Sequence, residues 1–378
     1  MSRIFFVAGE SSGDIHGANL IRALRERESG LRCEGLGGRH MAAAGMQLHY
    51  DLANRAIMGF TEVLKSLGLI RRLFRETLAR LDETPPDALV LIDYPGFNLR
   101  LAREAHKRNI PVIYYISPQV WAWKRGRIRT IAKVVRKMLV IMPFEAALYE
   151  DAGIPCAYVG HPLLDHLPTV KVLGSLRGKF VIGILPGSRQ QEIQRLLPIM
   201  LEVAQGIRLQ YPEAVFAAPC VDEEREAQIR SIARDFPLHT FTGNTYEVLD
   251  AAHFCLVASG TATVETALFG VPFVILYKVT PITYWIARAV VSIEHIGMVN
   301  ILAGKRIVPE FVQHEATASR VLPAALELIG DTPARRQMIE ELAAVREQLG
   351  GEGASMRAAD EILNTLSEVR DGRATVPD

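Results

Sequence analysis

Residues 254–276, FCLVASGTATVETALFGVPFVIL, hold two apolar runs of strand length separated by a small-residue turn and a short helical segment. After the first run, Ser259-Gly260-Thr261 turns the chain into a helix that we expect to open near Ala262. A helix N-terminus presents unpaired backbone N–H groups and about half a positive charge, so such a turn favours a bound anion, above all a diphosphate. The alternative is an ordinary strand-to-helix turn that binds nothing.

A second turn of the same kind lies upstream, in FVIGILPGSRQQEIQRLLP at residues 180–198. Gly187 and Ser188 follow an apolar strand, and Arg189 stands where the next helix begins. Ser188 and Gln191 have the spacing of a capping box. An arginine at one strand end beside bare amides at another would cradle an anion at the carboxyl edge of a parallel sheet, where open α/β folds bind ligands.

Thr263 and Glu265 continue the first turn into its helix. Glu265 lies four residues past Thr261, which is one too many for a capping box between the two. We therefore expect the Glu265 carboxylate to accept hydrogen bonds from a ribose, although an acid in a first helical turn is also ordinary helix chemistry.

The chain has 378 residues, which suits two domains, and its 49% hydrophobic and 22% charged residues are typical of a globular protein. The formal net charge of +1 gives no overall attraction to nucleic acid, and we expect no nucleic-acid partner. The four cysteines are widely separated, which predicts reduced thiols, a cytosolic setting and no metal site. We expect no cofactor, and no apolar run is long enough to span a membrane.

Strand and helix patterns alternate along the chain, which predicts mostly parallel sheets covered on both faces. One series ends near residues 159–162 and another begins at Phe180, with a linker expected at 163–178. We predict two Rossmann-like α/β domains facing each other across a cleft. The expected ranges are 1–165 for the first domain, 166–345 for the second, and 346–378 for C-terminal helices that pack on the first domain or on a partner subunit.

Two carboxylates follow apolar strands of the first series. Asp93 comes directly after residues 88–92, and Glu10 stands in the loop expected at 8–14, which also contains Ser12. A partly desolvated carboxylate has a raised pKa and suits a general base. Asp93 is therefore the candidate base, and Glu10 is a second candidate catalytic carboxylate. The alternatives are that Asp93 caps its loop and that Glu10 bonds nearby amides.

The segment at residues 115–137 mixes aromatic and basic side chains, among them Trp123, Lys124 and Arg125. This pattern is compatible with nucleic acid, with a phosphorylated acceptor or anionic lipid headgroups, or with a solvated helix face. Residues 57–75 carry apolar side chains at helical spacing flanked by basic ones, which indicates either a core helix or contact with acyl chains or a membrane surface. The candidates in this second segment are Met58, Phe60, Val63, Leu67, Ile70, Arg71 and Arg72.

His16, placed by the pattern in the first loop, is a further candidate beside Ser12 on the acceptor side. A G-x-G-x-x-G fingerprint is missing, because Gly35, Gly37 and Gly38 fail the spacing. No Asp-x-Asp pair exists to hold a divalent ion against a diphosphate, so we expect helix ends and Arg189 to meet the charge of the diphosphate without a metal.

Taken together, these motifs resemble the lipid-A-disaccharide synthase family of inverting glycosyltransferases, which have the two-domain GT-B fold. The resemblance runs in order through nearly the whole chain. It rests on AGESSGD at 8–14, MGFTEVL at 58–64, IDYPGFN at 92–98, YISPQVWAWKRGR at 115–127, PFE at 143–145, VGHPL at 159–163, LPGSR at 185–189, SGTATVE at 259–265 and NILAG at 300–304.

The resemblance implies that UDP-2,3-diacylglucosamine reacts with 2,3-diacylglucosamine 1-phosphate to give a β-1,6-linked disaccharide phosphate and UDP. Asp93 would deprotonate the acceptor 6-hydroxyl and Glu10 would assist positioning. Arg189 and the turn from Ser259 to Thr263 would receive the diphosphate, and Asn300 would line the donor site. Members of the family often have an acid where this chain has Gly96, so no role of that acid carries over.

The resemblance makes 1–165 the acceptor and membrane-facing domain and 166–345 the donor domain. It also implies peripheral association with the cytoplasmic face of the inner membrane, and it permits a homodimer that exchanges C-terminal segments. Two other hypotheses remain from the residues. A UDP-N-acetylglucosamine 2-epimerase or another UDP-sugar enzyme with a soluble acceptor would share the fold, and a nonenzymatic binder of anionic lipid or nucleic acid would use the basic residues of 124–137.

Overall fold

The computed structural model describes residues 2–53, 60–118, 120–121, 126–169, 173–280, 284 and 294–372, and at 60–67 and 166–169 it describes the backbone alone. The chain divides into two compact units, Met1–Asp165 with Gly351–Asp378, and His166–Gly350.

The first unit is built on a parallel sheet. Seven described strands lie in it in the order β3-β2-β1-β4-β5-β6-β7. They are β1 (Arg3–Ala8), β2 (Arg32–Gly37), β3 (Gln47–Asp51), β4 (Ala88–Ile92), β5 (Val112–Tyr115), β6 (Lys137–Val140) and β7 (Cys156–Tyr158). The helices are α1 (Ser11–Arg27), α2 (Arg39–Ala43), α3 (Phe60–Glu83), α4 (Pro95–His106), α5 (Arg127–Val134), α6 (Pro143–Glu150) and the C-terminal helix Ala354–Arg370, with a 3₁₀ helix at Pro162–Thr169.

The second unit repeats this plan. Six described strands form its parallel sheet in the order β10-β9-β8-β11-β12-β13. They are β8 (Val181–Leu185), β9 (Val215–Cys220), β10 (Leu238–Thr242), β11 (Ala252–Ala258), β12 (Phe273–Tyr277) and β13 (Glu310–Val312). The helices of this unit are α7 (Gln190–Gln210), α8 (Glu223–Ala233), α9 (Thr245–Ala251), α10 (Thr261–Leu268), α11 (Met298–Ala303), α12 (Ala318–Ile329) and α13 (Pro333–Gln348). The C-terminal helix Ala354–Arg370, which belongs to the first unit, is α14.

The central strands are apolar along their whole length because helices cover both faces of each sheet. Every residue of β4 is fully buried, and the same holds for Phe254–Val257 in β11. Parallel sheets need this double cover, since their crossover helices lie on both faces. The prediction of two parallel-sheet α/β domains is confirmed.

Several boundaries differ from the sequence-based expectation. Helix α1 begins at Ser11, so most of the segment expected as a loop is its first turn. The short strands β3, β7 and β13 were missed; each pairs at an outer edge of a sheet and lacks the long apolar run that marked the central strands. Part of the expected linker at 163–178 forms the 3₁₀ helix.

A carboxylate near the end of the first part of the chain holds the C-terminal helix. Asp165 accepts hydrogen bonds from the backbone N–H groups of Gly353 (2.7 Å), Ala354 (2.9 Å) and Ser355 (2.9 Å), at the start of α14. Negative charge at a helix N-terminus is stabilising, and bonds to a charged acceptor are the strong ones. Helix α14 in turn packs against α1 within the same unit.

Replacing this carboxylate should loosen the C-terminal helix. We expect Asp165→Ala to cost about 2 kcal/mol or more of local stability, because it leaves backbone N–H groups without their charged acceptor. Amide hydrogen exchange of residues 354–370, followed by mass spectrometry, should then become more than about tenfold faster.

The matched control is Asp360→Ala on the same helix, which removes an exposed ion pair with Arg27 (2.8 Å) and should cost less than about 1 kcal/mol. Equal protection of α14 in the Asp165 and Asp360 variants would contradict the anchoring role.

Candidate active site

Asp93 lies immediately after β4, at the carboxyl edge of the first sheet. Asp93 and Tyr94 both have left-handed backbone conformations, with φ of 44° and 48°, which is unusual for residues other than glycine. Strained backbone of this kind persists only where the surrounding structure holds it. The position of the Asp93 carboxylate therefore depends on a strained turn that other interactions must stabilise.

Hydrogen bonds to the backbone carbonyl and to the backbone N–H of Asp93 hold this turn. The Asp93 carbonyl oxygen accepts from the Tyr114 hydroxyl (2.6 Å) and from the side-chain amide of Asn98 (2.7 Å). The Asp93 N–H donates to the Tyr115 carbonyl (3.2 Å). Tyr114, Tyr115 and Asn98 are fully buried, so their positions are set by the core. This network accounts for how the strained turn is maintained.

Burial, which the sequence predicted, and the neighbouring charge of Glu10 together raise the pKa of Asp93 to about 7, and a hydrogen bond from the Tyr94 backbone opposes the change. Glu10 follows β1, which pairs with β4 through Ala8 and Ile92. It is the residue that precedes α1, but its side chain makes no capping hydrogen bond. The structure thus brings the two predicted carboxylates to one edge, and the alternative that Glu10 caps the following amides is not observed.

A third acid at this edge, Glu145 in the first turn of α6, was missed. It is 2% exposed, and its Oε1 accepts from the Ser117 hydroxyl (2.5 Å) and the Trp121 indole N–H (3.1 Å). Burial raises the pKa of Glu145 to about 7, and the charge of Asp93 acts in the same direction. The available signal was the PFE motif, which puts an acid just after β6.

His16 lies in α1 instead of a loop, and it is buried, as is His161. Burial lowers the pKa of His161 to about 3, with His16 contributing, so His161 is neutral at pH 7. Its Nδ1 accepts from the Leu163 N–H (3.3 Å), which is a structural role. Ser12 is half-buried in the first turn of α1.

The later part of α3 is a core helix. Ile70 and Phe74 pack against the buried cluster of the first unit, and the Phe74 ring meets Phe97 edge-on at 5.4 Å between centroids. Arg71 and Arg72 are exposed, and Arg72 pairs with Glu76 (2.7 Å). The core interpretation is therefore confirmed for this half of the segment. Met58, Trp123, Lys124 and Arg125, and the side chains of Phe60, Val63 and Leu67, lie outside the described residues.

In the second unit, the first predicted turn follows β8. Gly187 has φ of 106°, and a Cβ there would lie 2.4 Å from the Glu192 carboxylate, so only glycine fits. The Arg189 N–H donates to that carboxylate (3.3 Å), and the Arg189 guanidinium, 56% exposed, pairs with it (3.3 Å). The capping interaction thus involves Arg189 and Glu192 in place of Ser188 and Gln191, because α7 begins one residue later than expected.

The second predicted turn follows β11, which pairs with β8 through Val257 and Leu185, so the two turns emerge side by side. Helix α10 begins at Thr261, and the Thr263 hydroxyl donates to the Gly260 carbonyl (2.7 Å). Thr261 is exposed and Ala262 half-buried, so the first turn of this helix reaches the surface. The two predicted turns therefore follow neighbouring strands, and their joint binding of an anion stays a prediction.

Glu265 lies one turn into α10, near Tyr246 of α9. The Tyr246 hydroxyl donates to Glu265 Oε1 at 3.5 Å, and the Tyr246 ring stacks on Phe269 with centroids 5.8 Å apart. Burial raises the pKa of Glu265 to about 7. A carboxylate held back from water with one weak partner has acceptor capacity left for a hydroxyl group.

Asn300 does not offer its side chain to a ligand. It is fully buried, and its amide nitrogen donates to the Val308 carbonyl (2.8 Å) and to Glu310 (2.8 Å). Its amide oxygen accepts from the N–H groups of Ile307 and Val308, both at 2.9 Å. All hydrogen-bonding capacity of the side chain is thus used inside the unit, so the expectation that it lines the donor site is corrected to a structural role.

No helix within the described ranges is both long and apolar enough to cross a membrane. Groups of three or more His, Cys, Asp or Glu side chains suited to a metal ion are likewise absent from the part of the chain that the structure describes.

Comparison with solved structures supports the fold. A UDP-bound structure of MnaA from S. aureus matches with a TM-score of 0.68 at 14% identity, covering 98% of this chain and 97% of that one. A glycotransferase of kitacinnamycin matches with a TM-score of 0.65 at 18% identity, covering 96% and 98%. UDP-GlcNAc 2-epimerase from Neisseria meningitidis gives 0.62 at 15% identity over 97% and 100%. At such identities the likeness, including that to epimerases, is one of fold alone.

Sequence comparison reaches further. The chain is 42% identical to a lipid-A-disaccharide synthase from Syntrophus aciditrophicus over 97% of this chain and 98% of the relative. The corresponding enzyme from Geobacter sulfurreducens is 40% identical over the same shares. A family model described as lipid-A-disaccharide synthetase matches residues 4–362. The chain therefore belongs to the lipid-A-disaccharide synthase family of glycosyltransferases.

Proposed function

We propose that this glycosyltransferase moves 2,3-diacylglucosamine from UDP-2,3-diacylglucosamine to the 6-hydroxyl of 2,3-diacylglucosamine 1-phosphate, with Asp93 as the general base. The base takes the proton of the acceptor 6-hydroxyl while the hydroxyl oxygen bonds to the donor anomeric carbon. The bond from that carbon to the diphosphate breaks, and UDP leaves with the electron pair. A single displacement of this kind inverts the anomeric centre and needs one base and a stabilised leaving group.

The observation that carries this proposal is the Asp93 carboxyl itself. Its pKa of about 7 gives a base that is available near neutral pH and still strong enough to accept a proton. Its backbone is fixed by hydrogen bonds to buried side chains, which limits the freedom lost when a substrate binds. Glu10 supports Asp93 by raising its pKa and would help to position the acceptor.

The donor would bind to the second unit. Arg189 and the turn from Ser259 to Thr263 would receive the diphosphate, and Glu265 would accept hydrogen bonds from the ribose. Support comes from the half-exposed guanidinium and the exposed start of α10, which follow neighbouring strands, and from structural relatives solved with UDP or UDP-GlcNAc. Gly187 and Ser188 would shape the neighbouring turn. Helix ends and an arginine can meet the leaving-group charge without a metal ion.

The lipid acceptor, peripheral binding to the cytoplasmic face of the inner membrane, and a homodimer are further parts of the proposal. Helix α5 supports contact with an anionic surface, because Arg129 and Lys133 are exposed while Ile131 is buried between them. Ser12 and His16 would lie on the acceptor side. A homodimer that exchanges C-terminal segments would form the contacts of Asp165 with α14 between subunits.

The experiment is an incubation of the purified protein, with a chelator, with UDP-2,3-diacylglucosamine and 2,3-diacylglucosamine 1-phosphate, following UDP and the lipid product by mass spectrometry. We expect a disaccharide phosphate. Asp93→Asn should lower kcat about 100-fold or more with donor KM little changed, because it removes the proton acceptor and keeps the shape. Asp82→Asn, which alters an exposed ion pair with Arg108, is the control and should be fully active. Full activity of Asp93→Asn would eliminate Asp93 as the base.

The pH profile tests the coupling between Glu10 and Asp93. Because the ionised carboxylate is the active form, kcat/KM of the wild type should rise with pH through about 7. Removing the neighbouring negative charge favours ionisation of Asp93, so Glu10→Gln should move this rise to lower pH. A rise that stays at the wild-type pH in Glu10→Gln would show that the two carboxylates do not interact.

The donor side is tested by Arg189→Ala. Loss of a guanidinium that contacts a diphosphate should weaken UDP binding about tenfold or more and leave the acceptor KM nearly unchanged. The measurement is UDP titration by calorimetry. Arg208→Ala, an exposed arginine in the last turn of the same helix α7, is the control. Equal UDP affinity in the two variants would count against the role of Arg189.

A further inference from the structure

We infer that Glu310, at the start of β13, is a positioning residue for the diphosphate turn at Ser259. This inference rests on the proposed donor site in the second unit. It goes beyond that site because Glu310 lies on the edge strand of the sheet and does not belong to either turn.

Glu310 is a buried carboxylate, 8% exposed, whose hydrogen-bonding partners are neutral N–H groups. Its Oε1 accepts from the Gly297 backbone (2.8 Å) and the Asn300 side chain (2.8 Å), and its Oε2 accepts from the Ile296 backbone (3.0 Å). Burying a charged group is costly unless it is well hydrogen-bonded. The bonds thus fix the segment that leads into α11 against the edge of the sheet.

Ile296 of that segment contacts the turn from Ser259 to Thr263, which is the proposed diphosphate site and is called the diphosphate turn. The Ser259 hydroxyl donates to the Ile296 carbonyl at 3.2 Å. Glu310 accepts from the N–H groups on either side of that carbonyl, at Ile296 and at Gly297, and the Gly297 N–H belongs to the same peptide group as the carbonyl. The Ser259 N–H donates to the Leu276 carbonyl (2.9 Å), which fixes the other side of the turn. Glu310 therefore acts on the turn through Ile296.

The local sequence is fitted to this arrangement. A Cβ at Gly297 would lie 3.1 Å from Glu310 Oε1 and 2.3 Å from the Ile275 side chain, so the close approach of the carboxylate needs glycine. Asn300 connects Glu310 to the backbone at Ile307 and Val308, which precedes β13. Helix α11 is thus closed onto the strand that carries Glu310.

The consequence for function is geometric. Backbone N–H groups stabilise an anion only when they point at it, and a misplacement of about 1 Å forfeits much of the interaction. If the Ile296 carbonyl moves, the Ser259 hydroxyl loses its acceptor and the start of α10 loses one of its two lateral supports. Donor binding should suffer while the acceptor site in the other unit keeps its affinity.

The test is calorimetric titration of UDP into full-length wild type, Glu310→Gln and Glu310→Ala. Alanine removes both bonds to this segment, whereas a glutamine can keep one oxygen toward Gly297 and Asn300 and loses the bond to the Ile296 N–H. We expect the UDP affinity of Glu310→Ala to fall about tenfold or more and its donor KM to rise likewise, with a smaller loss in Glu310→Gln and the acceptor KM of both within about twofold of the wild type.

The matched control is Glu226→Gln at the opposite edge of the same sheet. Glu226 bridges α8 to β10 by accepting from the hydroxyls of Thr240 and Thr242, both at 2.7 Å. Because this carboxylate has a purely structural role, Glu226→Gln should lower the thermal midpoint of unfolding without changing UDP affinity. The KM split between donor and acceptor separates positioning from general loss of stability.

A double-mutant cycle tests the proposed route through Ile296. Ser259→Ala should weaken UDP binding by itself and add little in the Glu310→Ala background, because both changes break the same connection. Additive losses would overturn the inference.

Unchanged UDP affinity in folded Glu310 variants would also overturn the inference and leave the donor site in place, whereas a wild type that does not bind UDP would instead remove the proposed donor site. If the Glu310 variants do not fold, Ser259→Ala alone decides, and wild-type affinity there would refute the connection.

Discussion

Each central strand of the two parallel sheets is covered on both faces, so polar side chains can leave the interior only where a strand ends. Asp93 follows β4, Glu145 lies just past β6, and Ser259 follows β11. Because the strands are parallel, these ends lie at one edge of each sheet. The same burial that stabilises the fold therefore collects the chemistry at two edges, one in each unit, and removes water from the groups placed there.

The two edges carry opposite electrostatic character. At the first, desolvation and the charge of a neighbouring acid favour the protonated form of Asp93 and Glu145. At the second, Arg189 and the start of α10 favour negative charge. This contrast supports the proposed proton transfer at the first edge and the proposed diphosphate binding at the second. A formal net charge of +1 conceals this division, because the local charges nearly cancel in the sum.

The sequence predicted the parts of this arrangement that are encoded locally. Apolar runs marked the central strands, and the small residues after them marked the turns, including Gly187 with its positive φ. It could not predict the side-chain bonds of Asn300, since these depend on how β13 returns to the sheet. It also missed Glu145, because an acid in a first helical turn looks like ordinary helix chemistry until its burial is known.

The acids of the first unit differ in how many backbone N–H groups bond to their carboxylates. Asp14 of α1 accepts from the backbone N–H groups of Gly38 (2.9 Å), His40 (3.0 Å) and Met41 (2.9 Å), as Asp165 does at α14. A carboxylate surrounded by donors from a distant segment is a structural clip, and the donors lie too far along the chain for a local pattern to reveal. Asp93 has the Tyr94 backbone as its hydrogen-bonding partner and a repelling neighbour. The shortage of donors, more than its place after a strand, is what suits an acid at this edge to taking up a proton.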